Sequence, residues 1–331
     1  MLAFTIIICT HNPNEQLLNR LLTALQQIEN PGLIQELIIV DNNSTGSLAE
    51  LKSVRDFVVS NSRVRIITES KPGLTNARIA GIKLATADWI IFFDDDNEPA
   101  VNYLSHSASL VNQYPQVGAW GPGNVSVEFF GKPVENWILN FKHLFQLRYA
   151  SEIKFSNKKD YQDCYPHGTG LVISKKIAVD YIALYETGAL TLSDRVGKSL
   201  SSGGDTQMVL LTIKNGLYAG ISPHLNINHL IESKKANLTY LKKQVYYTAS
   251  SYFTAYNEIF PKEQLAGKRA GNLDILKSLY AAYRIHFKAD DKPTFNLRLS
   301  RILGEYASPY IASTLEKPFI IRIMEKYLIN G

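Results

Sequence analysis

The first hundred residues alternate short apolar runs with stretches of helical spacing, and this alternation constrains the fold more than any other feature. The predicted strands are Phe4–Cys9, Glu36–Val40, Val64–Thr68 and Trp89–Phe93. The predicted helices between them are Leu17–Gln26 and Leu74–Thr86. Repeated strand, helix, strand units predict an α/β fold with a mainly parallel sheet flanked by helices. Ligands of such sheets bind at the carboxyl ends of the strands.

The pattern changes near residue 235. From Asn237 onward the chain is helical in spacing, as in Leu238–Phe260 and Leu273–Phe287, and rich in Tyr and Lys. We therefore predict two parts, an α/β domain over residues 1–235 and a helical C-terminal region over residues 236–331. No internal repeat or low-complexity segment interrupts either part.

The C-terminal region is also basic. Residues 234–331 hold 16 Lys or Arg against 8 Asp or Glu, whereas the whole chain has a net charge of +5. Such helices face either solvent or an anionic partner, so the sequence leaves open a solvated surface and peripheral contact with anionic lipid. Nucleic acid is not predicted as a partner, because no recognised binding motif accompanies the charge.

Cysteine content and hydropathy indicate the compartment. Cys9 and Cys164 are the two cysteines, and their spacing predicts neither a disulfide framework nor a metal–thiolate site. The N-terminal apolar run lacks the basic residues and cleavage site of a signal peptide, and no apolar stretch approaches the length of a membrane span. We expect a cytoplasmic protein, at the inner face of the membrane if the basic helices contact lipid.

Polar residues follow each predicted strand and should meet at one edge of the sheet. They are Thr10–Asn12, Asp41–Asn43, Glu69 and Asp94–Asp96. The three consecutive carboxylates repel one another strongly unless a cation lies between them. Oxygen ligands suit Mg²⁺ or Mn²⁺, and such an ion commonly shares its coordination with substrate phosphates. The alternatives are a solvated acidic turn or a helix N-cap.

Five segments in this order resemble the motifs of family 2 glycosyltransferases, which have the GT-A fold. They are Phe4–Asn12 for the opening strand and nucleotide loop, Glu36–Ser44 for the second strand, Lys71–Arg78 for the G-L-x-x-A-R helix start, Phe92–Asp96 for the DxD motif, and Ser202–Asp205 for the segment of the catalytic Asp. Each motif alone is weak, but their order is specific. The resemblance covers residues 1–235 and implies a nucleotide-binding half over residues 1–100 and an acceptor half over 101–235.

The resemblance implies separate donor and metal residues. The donor residues are Thr10, Asp41 at the base, Arg78 at the nucleotide, and Asp94 and Asp95 at ribose or phosphate. Asp96 and His229 would bind Mn²⁺ or Mg²⁺. Simpler interpretations stay open: Arg78 as a helix-surface cation, Asp41 as a turn former, and His229 as a core histidine.

On the acceptor side the resemblance implies that Asp205 is the general base of an inverting reaction. The alternative is a helix N-cap, and Gly204 stands where the family commonly has an acidic residue. Ser199–Gly204 is predicted to form a flexible lid. The predicted acceptor residues are His167, Gly168 and Thr169, with Trp120 as a sugar-stacking platform; core packing is the alternative for Trp120.

The resemblance therefore implies a metal-dependent hexosyltransferase of polysaccharide biosynthesis. It would move a sugar from a nucleoside-diphosphate sugar, with UDP as the expected nucleotide, to a hydroxyl of a glycan or lipid-linked glycan. One alternative is a phosphatase or phosphotransferase with Asp94 as nucleophile. The run follows the fourth strand, however, and Glu98 stands where that class has Thr or Val. The other is a GT-A scaffold that binds sugar without catalysis.

Overall fold

The computed structural model describes residues 2–192, 194, 200, 203–265, 269–287 and 291–329, and it has the predicted α/β fold with C-terminal helices. The strands are β1 Phe4–Thr10, β2 Ile34–Asp41, β3 Val64–Thr68, β4 Trp89–Asp94, β5 Asn97–Pro99, β6 Val117–Phe130, β7 Arg148–Tyr149, β8 Lys154–Ser156, β9 Leu171–Ser174 and β10 Tyr218–Glu232. The helices are α1 Glu15–Gln26, α2 Lys52–Ser60, α3 Leu74–Leu84, α4 Tyr103–Gln113, α5 Asn136–Leu139, α6 Lys175–Glu186, α7 Gly204–Lys214, α8 Leu238–Ile259, α9 Asn272–His286, α10 Lys292–Ala312 and α11 Phe319–Met324.

One mixed sheet organises the α/β part. Its strand order is β3-β2-β1-β4-β9-β6-β10-β5, with β7 beside β6 and β8 beside β10. Strands β1 to β4 pair in parallel, and β9, β6 and β5 join through antiparallel pairings. Thr10 lies opposite Asp41, and Cys9 lies opposite Asp94. The polar residues that follow β1, β2 and β4 therefore meet at the same edge, as expected.

The apolar runs become strands because both faces of the sheet are covered. All seven residues of β1 are buried, as are the last six of β2, which explains why these strands are continuously apolar and do not alternate. Helix α3 packs closely on the sheet: a Cβ on Gly81 would lie 2.7 Å from Ile7 Cγ2. This close packing fixes the position of the helix that carries Arg78.

Two compact units divide the chain. The first comprises Met1–Glu128, Phe145–Ala189 and Asp205–Ile231; the second comprises Phe129–Leu144, Leu190–Gly204 and Glu232–Gly331. The second unit is largely helical, and its core is formed by Tyr246, Ala270, Ile275, Leu303, Ala307, Ile321 and Ile329. The boundary near residue 235 stays a prediction. Within the described residues, none of the helices is both long and apolar enough to cross a membrane.

Candidate active site

The turn between β4 and β5 gives each of the three carboxylates its own partner. Thr169 Oγ1 lies 3.3 Å from Asp94 Oδ2 and donates to it, and Thr10 Oγ1 donates to Asp95 Oδ2. The fully buried Asn97 closes the turn, because its Oδ1 accepts from the Asp94 amide at 3.0 Å and its Nδ2 donates to Asp96 Oδ1 at 3.2 Å. The predicted acidic site is therefore an ordered turn with divergent carboxylates.

Asp96 and His229 form a buried pair. His229 lies opposite Asn97 in the pairing of β10 with β5, and its Nε2 is 3.4 Å from Asp96 Oδ1. Its Nδ1 is 2.9 Å from the Phe145 carbonyl oxygen, which can only accept, so Nδ1 carries a proton. Burial alone would lower the pKa of His229, but Asp96, the Phe145 carbonyl and the charge of Asp94 together raise it. Nε2 and the carboxylate therefore need a proton or a metal cation between them.

The loops after β1 and β2 are tied together by side chains. Asn12 has a left-handed backbone (φ 49°), its Oδ1 accepts from the Thr45 amide at 2.9 Å, and its own amide donates to Ser44 Oγ at 2.8 Å. Asp41 Oδ1 accepts from the Ser44 amide at 3.0 Å. Asp41 thus makes the turn contact named as its simpler interpretation, and this contact also orients the carboxylate at the sheet edge.

Asn42 is a positioning residue that the sequence analysis did not single out. This buried side chain donates to the carbonyls of Glu69 and Lys71, at 3.1 and 2.8 Å, and accepts from the Gly73 amide at 2.8 Å. It therefore anchors the loop that leads into α3. In the sequence, an Asn beside an Asp is a weak signal, because turns commonly contain both.

Arg78 is buried, contrary to the interpretation of it as a helix-surface cation. Its exposed fraction is 5%, and its guanidinium carbon lies 5.7 Å from the centroid of the Phe92 ring. Burial raises the pKa of the Cys9 thiol to about 12, and Arg78 opposes this while Asp94 adds to it. Cys9 is thus a neutral core residue. Arg78 brings a positive charge to the sheet edge that holds the acidic turn.

Asp205 lies in the first turn of α7, one residue after its start, so it is not the N-cap. Its Oδ1 accepts from the Thr206 amide at 2.9 Å, and its Oδ2 accepts from the Gly168 amide at 2.8 Å. A Cβ on Gly168 would lie 2.7 Å from an Arg78 terminal nitrogen and 3.1 Å from Asp205 Oδ2. Gly168 therefore lies between the side chains of Arg78 and Asp205, and there is no room for a larger residue at this position.

Adjacent residues connect the donor and acceptor sides. Gly168 binds Asp205, and the next residue, Thr169, binds Asp94. This brings together Gly168, Thr169 and Asp205, three of the residues predicted for the acceptor side, next to the acidic turn.

His167 has a fixed tautomer that depends on Arg148, a second residue absent from the sequence-based predictions. An Arg148 terminal nitrogen lies 3.0 Å from His167 Nε2, and a guanidinium can only donate. His167 therefore accepts at Nε2 and is neutral. Burial and the Arg148 cation lower the pKa of His167 to about 4, and Asp205 opposes this effect.

The prediction for Trp120 as a sugar-stacking platform is wrong. The indole has no exposed surface and packs edge-on against Tyr114 and Phe155, with centroids 5.6 and 6.0 Å apart. Its ring offers no face to a ligand, and core packing is the correct interpretation. The predicted lid over Ser199–Gly204 lies partly outside the described residues, as does Ser202 of the motif before Asp205.

The sheet, the acidic turn at its edge and the helices around it define a GT-A domain. The family model of glycosyl transferase family 2 matches residues 5–178, which is more than half of the chain. The chain belongs to this family.

Two proteins with similar sequences are also named as glycosyltransferases. Polypeptide N-acetylgalactosaminyltransferase 10 of Homo sapiens is 33% identical over 101 residues, 30% of this chain and 17% of that protein. Polypeptide N-acetylgalactosaminyltransferase 8 of Drosophila melanogaster is 29% identical over 102 residues, 31% of this chain and 17% of that protein. The matched segment thus spans about a sixth of these relatives.

Two solved structures are similar over nearly the whole chain. GalNAc-T7, crystallised with UDP, GalNAc and Mn²⁺, is 14% identical with a TM-score of 0.50, covering 96% of this chain and 59% of that one. Residues 1–349 of TarS from S. aureus are 12% identical with a TM-score of 0.47, covering 95% of this chain and 92% of that one. The likeness to GalNAc-T7 supports the fold.

Proposed function

We propose that this chain is a metal-dependent, inverting glycosyltransferase that moves a sugar from a nucleoside-diphosphate sugar to a hydroxyl of a glycan or lipid-linked glycan. Membership of glycosyl transferase family 2 supports the reaction class. The finer roles of the residues are assigned from the geometry of the first unit.

One observation carries the proposal: Gly168 and Thr169, adjacent in the chain, bind Asp205 and Asp94 respectively. A donor held by its diphosphate at the acidic turn would have its anomeric carbon near this segment. A hydroxyl approaching that carbon would meet Asp205. Holding both reactants against fixed groups converts an encounter into a step within one complex, which lowers the barrier.

On the donor side, each polar residue receives a specific role. Asp41, at the end of β2, accepts a hydrogen bond from the base, and Arg78 offsets negative charge on the nucleotide. Asp94 and Asp95 contact the ribose or the phosphates, and Thr10 holds Asp95 in place. The hydrogen bonds between the loops after β1 and β2 would hold these two loops in position before the donor binds.

The residues present fit a divalent cation of the Mn²⁺ or Mg²⁺ type. Asp96 supplies a carboxylate oxygen and His229 supplies Nε2, whose lone pair faces that carboxylate because Nδ1 is protonated. Among the described residues, no group of three or more His, Cys, Asp or Glu side chains is arranged to hold a metal. A two-residue site suits an ion that takes its other ligands from diphosphate oxygens and water. GalNAc-T7, which was crystallised with Mn²⁺, supports the same choice of ion. When bound, the ion would neutralise charge that develops on the leaving diphosphate.

Asp205 takes the proton from the acceptor hydroxyl as the hydroxyl oxygen attacks the anomeric carbon. The bond from that carbon to the diphosphate oxygen breaks, and its electron pair leaves with the nucleoside diphosphate. The configuration at the carbon inverts because the displacement is single. Each oxygen of Asp205 accepts one backbone N–H, and a carboxylate has about four acceptor positions, so capacity for the proton remains.

The donor is proposed to be a UDP-sugar, since GalNAc-T7 was crystallised with UDP and GalNAc and shares this fold. The acceptor is proposed to be a glycan or lipid-linked glycan of polysaccharide biosynthesis, reached at the cytoplasmic face of a membrane. His167 would border the acceptor site as a neutral hydrogen-bonding group, because Arg148 fixes its tautomer.

The deciding experiment incubates the full chain with a panel of nucleotide-sugars, with Mn²⁺, Mg²⁺ or EDTA, and measures nucleoside diphosphate release and thermal shift. We expect slow, metal-dependent release with one donor, and the same donor should raise the melting temperature. Phosphate release from monoesters would instead support the phosphatase. Donor binding without turnover in the presence of glycan acceptors would support the non-catalytic scaffold.

A further inference from the structure

Helix α9 of the second unit has two apolar faces. Its inner face is formed by Ile275 from the core of that unit, by Ala282, which is also buried, and by Ser278, whose Oγ lies 2.6 Å from the Tyr306 hydroxyl. An exposed stripe runs along the other side of the helix. It consists of Leu273, Leu276, Tyr280, Tyr283 and Phe287. We name these five residues the α9 stripe.

The α9 stripe is regular in sequence and large in exposed area. Its residues are spaced three and four apart, so at 3.6 residues per turn they fall within an arc of about 80°. Leu273 is 73% exposed and Tyr280 is 62% exposed. Soluble monomers rarely expose contiguous apolar patches of several large side chains unless the patch binds something.

Part of the stripe is held rigid by stacked rings. The centroids of Tyr283 and Phe287 lie 4.5 Å apart, and both rings also contact Phe295 of α10 edge-on. At the other end of the helix, the Ile320 amide donates to Asn272 Oδ1, which brings the start of α11 beside the start of α9. A preformed apolar surface loses little conformational entropy when it binds.

Charges beside the stripe identify its occupant. Lys277 and Arg284 border the stripe on the same flank, within about 40° of its edge around the helix axis, and both are exposed. Neither forms an ion pair with a carboxylate in the part of the chain that the structure describes. The exposed Asp274 lies on the same side of the helix, about 60° further from the stripe than Lys277, so that flank keeps a net positive charge, and the opposite flank of Asn272, Leu279 and His286 holds no acid.

This charge pattern disfavours a second copy of the chain. In an antiparallel pair of α9 helices, the two basic flanks would face each other. In a parallel pair, the basic flank would meet a flank without acids. An apolar stripe with one cationic border suits an anionic lipid bilayer instead. The acyl chains of the bilayer would contact the stripe, and its anionic headgroups would contact the cations. Tyr and Phe are also the residue types that favour the bilayer interface.

We infer that the α9 stripe docks on an anionic membrane surface, with its apolar side chains at the boundary of headgroups and acyl chains and with Lys277 and Arg284 among lipid phosphates. This deepens the membrane contact of the proposed function and assigns it to particular residues. The surplus of basic residues in 234–331 adds to the attraction. Its effect on the glycosyltransferase would be to hold the enzyme close to a lipid-linked acceptor.

The test is flotation of the full chain with vesicles of phosphatidylcholine alone or with added phosphatidylglycerol, in low and high salt and without nucleotide-sugar. Two double variants probe the surface: Leu273→Ser with Tyr280→Ser, and Lys277→Glu with Arg284→Glu. The matched controls in the first unit are Val59→Ser with Tyr149→Ser, both exposed, and Lys52→Glu with Arg55→Glu on α2, also exposed.

We expect salt-sensitive binding to the phosphatidylglycerol vesicles, reduced about tenfold or more in each α9 variant and retained in the controls. Unfolding curves verify that all variants fold. Absence of vesicle binding, or equal binding by α9 and control variants, would overturn the inference. So would light scattering that finds a dimer dissociated by the α9 variants without lipid. Nucleotide-sugar turnover is measured without lipid, so a failure of the proposed function remains distinguishable.

Discussion

Replacing Gly168 by alanine tests the central geometry of the site with a single methyl group. The new Cβ would lie 2.7 Å from an Arg78 terminal nitrogen, 3.1 Å from Asp205 Oδ2 and 3.4 Å from Asp205 Cβ. The backbone of Gly168 is not in the left-handed region, so alanine introduces no backbone strain of its own. The methyl group must therefore displace the side chains, and the guanidinium has to retreat by roughly 0.7 Å to reach an ordinary contact distance.

Arg78 has little room to retreat, because it is buried and packed over Phe92. Misplacement of a reacting group by about 1 Å can cost about a hundredfold in rate, so we expect Gly168→Ala to lower turnover by about ten- to a hundredfold. Crowding of this kind also costs about 1–3 kcal/mol of stability. A loss confined to donor binding would locate the displacement at Arg78, and a loss confined to turnover would locate it at Asp205.

The assay measures metal-dependent nucleoside diphosphate release, together with thermal shift by UDP and Mn²⁺. The matched control is Gly46→Ala, since a Cβ there has nothing within 4 Å and should leave both readouts unchanged. If Gly168→Ala turned over donor within about twofold of the control, Arg78 and Asp205 would not act at the positions described, and the assignment of the site would be refuted.

Three further variants test individual roles. Asp205→Asn can still accept from the Gly168 amide, so it should retain donor-induced thermal shift while transfer falls about a hundredfold or more; normal turnover would exclude it as the base. Asp96→Asn should weaken donor binding at least about tenfold in Mn²⁺ but not in EDTA, by calorimetry, and an unchanged metal dependence would contradict the metal assignment. His167 has a lowered pKa in the folded protein, so below pH 6.5 the unfolded chain takes up the proton first and stability falls until about pH 4. His167→Asn should remove up to about 3 kcal/mol of this acid-side loss in urea unfolding curves, with exposed His224→Asn as the control; parallel pH profiles of variant and wild type would refute the neutral imidazole.

The sequence was most informative where structure is local. The predicted β3 has the observed bounds, and the other three early strands differ by at most two residues at either end. Few folds other than a parallel sheet flanked by helices accommodate continuous apolar runs separated by segments of helical spacing. The sequence therefore predicted directly that Asp41 and Asp94 lie at the same edge of the sheet. The observed helices α8 and α9 also lie within one residue of their predictions.

The antiparallel half of the site was harder to predict. The contact of His229 with Asp96 depends on the pairing of β10 with β5, which joins residues more than a hundred positions apart. No local pattern encodes such a pairing, so only the family resemblance placed His229 with Asp96, and nothing in the sequence indicated that Arg148 on β7 reaches His167. Trp120 was misassigned for a related reason: aromatic residues among glycines occur both in sugar sites and in cores, and burial decides between them.

The acidic turn shows how three adjacent carboxylates can be held together although their charges repel one another. Because β4 ends at Asp94 and the chain turns before Asn97, each of the three side chains has a different partner, namely Thr169, Thr10 and Asn97. Two of them receive hydroxyl donors, from Thr169 and from Thr10. Asp96 differs from both, because it faces His229 Nε2 and a proton or a metal cation must lie between them. In the proposed function the metal would therefore bind at one carboxylate, which would leave the other two able to accept hydrogen bonds from a nucleotide.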